Sequence, residues 1–144
     1  RHFADKREVL FAGTERFPEA LVAAVPPEAG DGPAGAVAAA FERVATGYFP
    51  PVAQARQRQA VIDANPQLLE RELAKLHGVA AVLTAALRER GVTDPAAAVA
   101  AESGVAAFKV AFARWIADPA DGELVAHVRE AFYSLRVLTA QTPS

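Results

Sequence analysis

Leu69, Leu73, Leu76, Ala80, Leu83 and Leu87 recur at alternating steps of four and three, and no proline interrupts the chain between Pro66 and Gly91. A strand cannot use that spacing, because successive side chains on a strand change face. A helix puts all six residues on one face, and a long helix must lay such a face on other elements. The rest of the chain therefore has to supply what covers it.

Everything else also reads as helix. Alanine, the best helix former, is the commonest residue. Alternating β-branched runs, the signature of strands, are absent. Proline and glycine fall between periodic segments, where they punctuate. A first helix is expected from Asp5, which can cap with Glu8 three residues on. Leu10, Thr14, Phe17 and Leu21 follow at helical spacing, with a kink or break near Phe17 caused by Gly13 and Pro18, and Pro26-Pro27 ends the helix. Gly30-Asp31-Gly32-Pro33 reads as a loop. A second helix spans about Pro33 to Tyr48 on Val37, Phe41, Val44 and Tyr48. A third, the most polar, spans Pro51 to Asn65. Asn65 suits an N-cap and Pro66 a first helical position, so the leucine-rich helix is the fourth, from Pro66 to about Arg90, with Gly91 as its stop. Asp94-Pro95 repeats that start signal for a fifth helix ending at Ala117, apolar on most sides. Asp118-Pro119-Ala120-Asp121-Gly122 is a turn. A last helix runs from Glu123 to about Thr139 on a stripe of Leu124, Val128, Ala131, Leu135 and Leu138, with Val125 and Phe132 beside it. Pro143 and Ser144 read as a frayed tail. The expected fold is an all-α bundle of about six helices.

A length of 144 residues suffices for one domain with a real core, and 52% hydrophobic with 22% charged residues argues against disorder. Net charge is −2, so the chain carries no broad basic surface for nucleic acid. Without cysteine there are no disulfides, thiol nucleophiles or thiolate metal sites, which suits a cytoplasmic home. Charges and prolines break up the apolar stretches before they reach the ~18 residues of a membrane span, and no stretch has the form of a signal peptide. No membrane partner is expected. The chain opens on Arg1-His2-Phe3 and contains no methionine, so a further N-terminal segment is expected upstream.

Motifs that carry chemistry are missing: there is no H-E-x-x-H, no nucleophile elbow around Ser103 and no glycine-rich phosphate loop. No catalytic residue, metal or cofactor is assigned, and the chain is not expected to be an enzyme. His127 and Glu130 stand three apart on one helix, a spacing that metal sites use, but without a second pair they read as a solvated face. His77 is either a partly buried histidine bonded to a carbonyl or a polar anchor in a pocket. Arg56 and Arg58 lie on the polar third helix, where solvation explains them. The alternative is contact with an anionic ligand or a neighbouring domain.

The opening residues, Arg1-His2-Phe3-Ala4-Asp5-Lys6-Arg7-Glu8-Val9-Leu10-Phe11, resemble the join between the recognition helix and the next helix in TetR-type transcriptional regulators. His2, Phe3, Lys6, Val9 and Leu10 match that join. Arg7 departs from it, standing where an acidic residue is common. The segment Asn65-Pro66-Gln67-Leu68-Leu69-Glu70-Arg71 is similar to a turn found between helices of such regulators, loosely including a subgroup that binds acyl-CoA-like ligands.

That resemblance implies residues 1–4 as the end of a helix-turn-helix head and residues 5–144 as a ligand-binding and dimerisation domain. It implies a ligand-responsive regulator, a repressor, that meets operator DNA through the upstream head. His2 and Lys6 match positions that touch DNA phosphates, where a helix N-terminus and a cation favour an anion. The middle helices would enclose a small apolar or amphipathic ligand, with Phe17, Phe41, Tyr48, Leu76, His77, Phe108 and Phe112 as candidate pocket residues. The last two helices would form a four-helix bundle with a second copy, through Gly104, Ala107, Ala111, Leu124, Val128, Phe132 and Leu135, in a C2 homodimer. The main alternative is a helical dimerisation or scaffold module without a ligand, whose core is filled solid. An enzyme using His77 or the His127–Glu130 pair is the third, and it would carry a stoichiometric metal.

Overall fold

Proline and glycine set the helix ends close to where the spacing places them. The computed structural model describes residues 16–27 and 32–140, and the described residues form an all-helical bundle with no strand. The elements are α1 (Phe17–Ala24), α2 (Gly32–Gly47), α3 (Val52–Asp63), α4 (Pro66–Glu89), α5 (Ala96–Ala117) and α6 (Leu124–Ala140). The expected helix start at Asp5, together with His2, Lys6, Leu10 and Thr14, lies outside the described residues, as do Pro143 and Ser144.

The end of α4 follows a Schellman pattern. Gly91 takes a left-handed φ of 90°, Val92 N–H donates to the Leu87 carbonyl at 3.0 Å and Gly91 N–H to the Arg88 carbonyl at 3.0 Å. Two expected caps are used differently. Asn65 makes no side-chain cap on α4; its Nδ2 turns back and donates to the Val61 carbonyl at 2.9 Å, serving the carbonyl-rich end of α3. Asp94 likewise does not cap α5 but pairs with Arg88 at 2.6 Å. α2 starts at Gly32, one residue before the expected Pro33; proline suits that first turn because it gives up an N–H that has no helical partner anyway.

α5 occupies the middle. It packs most extensively on α6 and also meets α4, α2 and α3, while α1 lies on α2 and α4. One core joins Phe17, Leu21, Val37, Phe41, Leu83, Leu87, Phe108, Ala111, Trp115, Val128 and Phe132. A satellite of Ile62, Leu68 and Val61 closes the α3–α4 turn. The leucine stripe of α4 is only partly core: Ala80, Leu83 and Leu87 are buried, whereas Leu69 and Leu73 are 42% and 52% exposed. On α6 the inward stripe is Leu124, Val125, Val128 and Phe132, while Leu138 lies 67% exposed.

Small residues let α5 approach closely. A Cβ on Gly104 would overlap Val37 Cγ1 and stand 3.2 Å from the Phe41 ring. Polar staples fix the ends. Arg56 of α3 donates from Nε to the Ile116 carbonyl at 2.8 Å and from Nη2 to the Asp118 carbonyl at 2.7 Å, and pairs through Nη1 with Asp121 at 2.8 Å. Asp121 adopts a left-handed φ of 53°, which a short polar side chain tolerates. Trp115 Nε1 donates to the Gly122 carbonyl at 2.9 Å. Arg90 ties the end of α1 to α4, donating to the carbonyls of Pro26 at 2.9 Å, Val25 at 3.3 Å and Ala86 at 2.9 Å.

One composition-based expectation needs correcting. α5 is long and apolar enough to cross a membrane by length and composition. Glu102 and Lys109 are diluted among alanines and valines, so they do not lower the average as expected. In this fold Ala97, Ala101, Gly104, Val105, Phe108, Ala111 and Trp115 of the same helix are buried against other helices of the chain.

Candidate functional site

Where α4 leaves the core, its N-terminal half spans a gap instead of filling it. Beneath it lies a cavity of about 420 Å³ between α1, α3, α4, α5 and the α2–α3 connection. Five rings face it: Phe17, Tyr48, Phe49, Phe108 and Phe112. Leu69, Leu73, Leu76, Ala113 and Ile116 complete the apolar wall, and Arg58, Gln59, Asp63, Glu72, Lys75 and Lys109 supply the polar part. Leu69, Leu73 and Lys109 are exposed, so the cavity opens to solvent past them. Its size falls within the roughly 300–1,000 Å³ of small-molecule pockets.

The rings hold one another. Phe108 lies 5.7 Å from Phe17, 5.0 Å from Phe41 and 5.7 Å from Phe49. Phe49 contacts Phe17 at 5.5 Å and Phe112 at 5.8 Å, and Phe112 meets Trp115 edge-on at 5.4 Å. Phe41 continues to Phe132 at 5.7 Å. Each pair lies within the 4.5–7 Å range of aromatic contacts. The result is a continuous aromatic path from α6 to the pocket and on to α1.

The polar corner is a compact ion cluster. Glu72 Oε1 accepts from Arg58 Nη2 at 2.7 Å and from Lys75 Nζ at 3.2 Å. Arg58 is 7% exposed, so the expected solvated face of α3 is in part an interior one. Burial strips water from the Lys75 ammonium and pulls its pKa below the usual lysine value, against the opposing pull of Glu72. Burial, followed by the nearby Glu19 carboxylate, raises the Tyr48 phenol above its ordinary value, so it stays neutral around pH 7. Asp63 Oδ1 accepts from Gln59 Nε2 at 2.9 Å.

Of the sequence-predicted pocket residues, Phe17, Tyr48, Leu76, Phe108 and Phe112 meet in this one wall. Phe41 does not: it is fully buried behind Phe108. His77 is exposed and absent from the wall, because it sits one residue round the helix from Leu76. Sequence reasoning missed Phe49, hidden beside the Pro50-Pro51 break, and Lys75, which carries no signal beyond its spacing from Glu72.

The expected partner-facing set divides. Gly104, Ala111, Leu124, Val128 and Phe132 are buried within the chain and belong to its own core. Gly104 spends its small size on Val37 and Phe41 of the same chain. Ala107 and Leu135 alone of that set line a shallow outer groove between α5 and α6, with Ser103, Ala106, Val110, Ala131, Ser134 and Leu138. Arg114 and Glu130 stand in that groove 3.5 Å apart. Around it Val99, Val110, Tyr133, Val137 and Leu138 are exposed.

His127 does not pair with Glu130. Its Nε2–H donates to Asp118 Oδ2 at 3.0 Å, and Asp118 also accepts from Ala120 N–H at 2.8 Å and Gly122 N–H at 3.1 Å. Among the described residues no group of His, Asp and Glu is placed to hold a metal ion. No family model and no curated protein matches this chain.

Proposed function

We propose that this chain is the sensing and dimerisation domain of a TetR-type, ligand-responsive repressor of transcription. The observation that carries the proposal is the ring-lined pocket of about 420 Å³ with Phe17 of α1 in its wall. α1 follows the segment whose residues His2 to Leu10 resemble the join to a DNA-binding head, and Phe17 contacts Phe108, Phe49 and Tyr48 within the cavity wall. A ligand that displaces these rings acts on the helix nearest that join. It shifts a population between two head spacings only if it binds the two geometries with different affinity. On this reading His2 and Lys6 meet DNA phosphates, and the protein works in the cytoplasm. It needs no catalysis, metal or cofactor.

A solid-core scaffold module has no use for a cavity of this size, which favours the sensing role. The homodimer is proposed on the outer face of α5 and α6, around Val110, Leu135 and Leu138, rather than on the inward stripe first expected. Arg114 and Glu130 within the groove suit a protein neighbour better than lipid tails, which offer a charge no partner.

The test uses the gene product including any residues encoded before Arg1. The expected outcome is binding to DNA flanking its own gene, with release by a saturating pocket ligand in a mobility-shift titration. DNA binding that is absent, or indifferent to a ligand shown by calorimetry to occupy the pocket, would overturn the proposal.

A further inference from the structure

Taking the pocket as a ligand site, as just proposed, its charges say which ligand class fits. The apolar wall is dominated by rings, so a flat apolar body gains edge and offset-stacking contacts there. The polar residues are not balanced. Arg58, Lys75 and Lys109 carry three positive charges, against two negative charges on Glu72 and Asp63.

Geometry sharpens this surplus. Arg58 and Lys75 converge on the same oxygen, Glu72 Oε1. A lysine ammonium has three donors, and Glu72 is the partner that Lys75 meets among the described residues. Glu72 therefore compensates Lys75 incompletely, and burial lowers the lysine pKa despite it. Asp63 is engaged by Gln59. Lys109, on α5, also lines the cavity, is exposed, and forms no ion pair among the described residues.

We infer that the pocket takes a small aromatic monocarboxylate, its ring among Phe17, Phe49, Phe108 and Phe112 and its carboxylate between Lys75 and Lys109. One negative charge completes the cluster. A dianion such as a phosphate monoester exceeds the surplus and meets Glu72 and Asp63, and a cation adds to it.

The test is calorimetry on the full chain at pH 7 with 2-naphthoate and with 2-naphthamide, its uncharged analogue of the same shape. Charge-assisted hydrogen bonds predict that the carboxylate binds about tenfold tighter or more. Lys75→Gln should bring the two probes to within about twofold of each other, and Lys75→Arg should keep the preference. Lys109→Gln, at an exposed position that leaves the fold alone, should weaken naphthoate severalfold and naphthamide not at all. It keeps the inference testable if Lys75→Gln does not fold. Naphthamide binding as tightly as naphthoate overturns the carboxylate class while leaving the pocket itself a ligand site. No saturable heat from either probe at millimolar concentration overturns both the class and the sensing role.

Discussion

Gly104 of α5 stands against Val37 of α2 with no room for a methyl group between them. Adding one forces the two helices apart or drives Val37 off its rotamer, and overpacking of this kind costs about 1–3 kcal/mol. Gly104→Ala should therefore lower the unfolding free energy by that amount, read from a lower urea midpoint at unchanged slope, even though alanine is the better helix former. Val37→Ala placed in the same chain should recover part of the loss. Additive effects in the double-mutant cycle would show that the contact does not set the α2–α5 distance.

Phe108 touches Phe17, Phe41, Phe49 and Phe112 and separates the pocket from the core. Phe108→Ala merges the two spaces and should cost about 3–5 kcal/mol. An apolar cavity lined by rings takes up benzene, so benzene at ten times its dissociation constant should return about 1.4 kcal/mol. That is a rise of roughly 5 °C in the melting temperature of the variant. A variant whose melting is unmoved by benzene has collapsed around the gap.

Arg56 joins α3 to the α5–α6 turn by bonds to Ile116, Asp118 and Asp121. Arg56→Met keeps the stem and removes every donor. It should destabilise the chain by about 1.5–3 kcal/mol and speed amide exchange selectively at residues 118–124. Uniform loss of protection across α1 to α6 would instead mean that the turn melts only with the whole bundle.

The same turn gives the chain an acid limb. The backbone N–H of Ala120, then the His127 ring, hold the Asp118 carboxyl below its ordinary value. A depressed carboxyl stabilises the fold above its unfolded pKa, and that contribution disappears as pH falls through the folded value. The stability difference between wild type and Asp118→Asn should therefore be full above about pH 5 and shrink steadily below about pH 4. Thermal melts from pH 2.5 to 7 read it directly. A difference that grows on acidification contradicts the assignment.

Val110 and Leu138 lie 55% and 67% exposed beside the α5–α6 groove. If a second copy covers that face, Val110→Asp with Leu138→Asp should halve the mass seen by light scattering at micromolar concentration. Circular dichroism should stay unchanged, since neither side chain holds the chain's own core. A wild-type monomer at that concentration excludes the proposed dimer.

Much of this architecture was legible from local sequence. The stretches around Pro26-Pro27, Pro50-Pro51, Asn65-Pro66, Gly91 and Asp118–Gly122 separate the helices, because proline and glycine act on the backbone within a residue or two. Periodicity likewise identified Phe17, Tyr48, Leu76, Phe108 and Phe112 as large side chains on apolar stripes. Facing direction was not legible. α5 is apolar on most sides, so nothing local tells Gly104, which meets Val37, from Val110, which meets solvent. Arg58 reads as a surface charge until α3 and α4 cross and remove its water. His77 and Leu76 are neighbours in sequence, yet only one of them lines the cavity. Helix formation depends on consecutive residues, and the sequence by itself determined it. Which face is buried, and where a gap is left open, depends on how distant helices cross, and only the tertiary structure decided that.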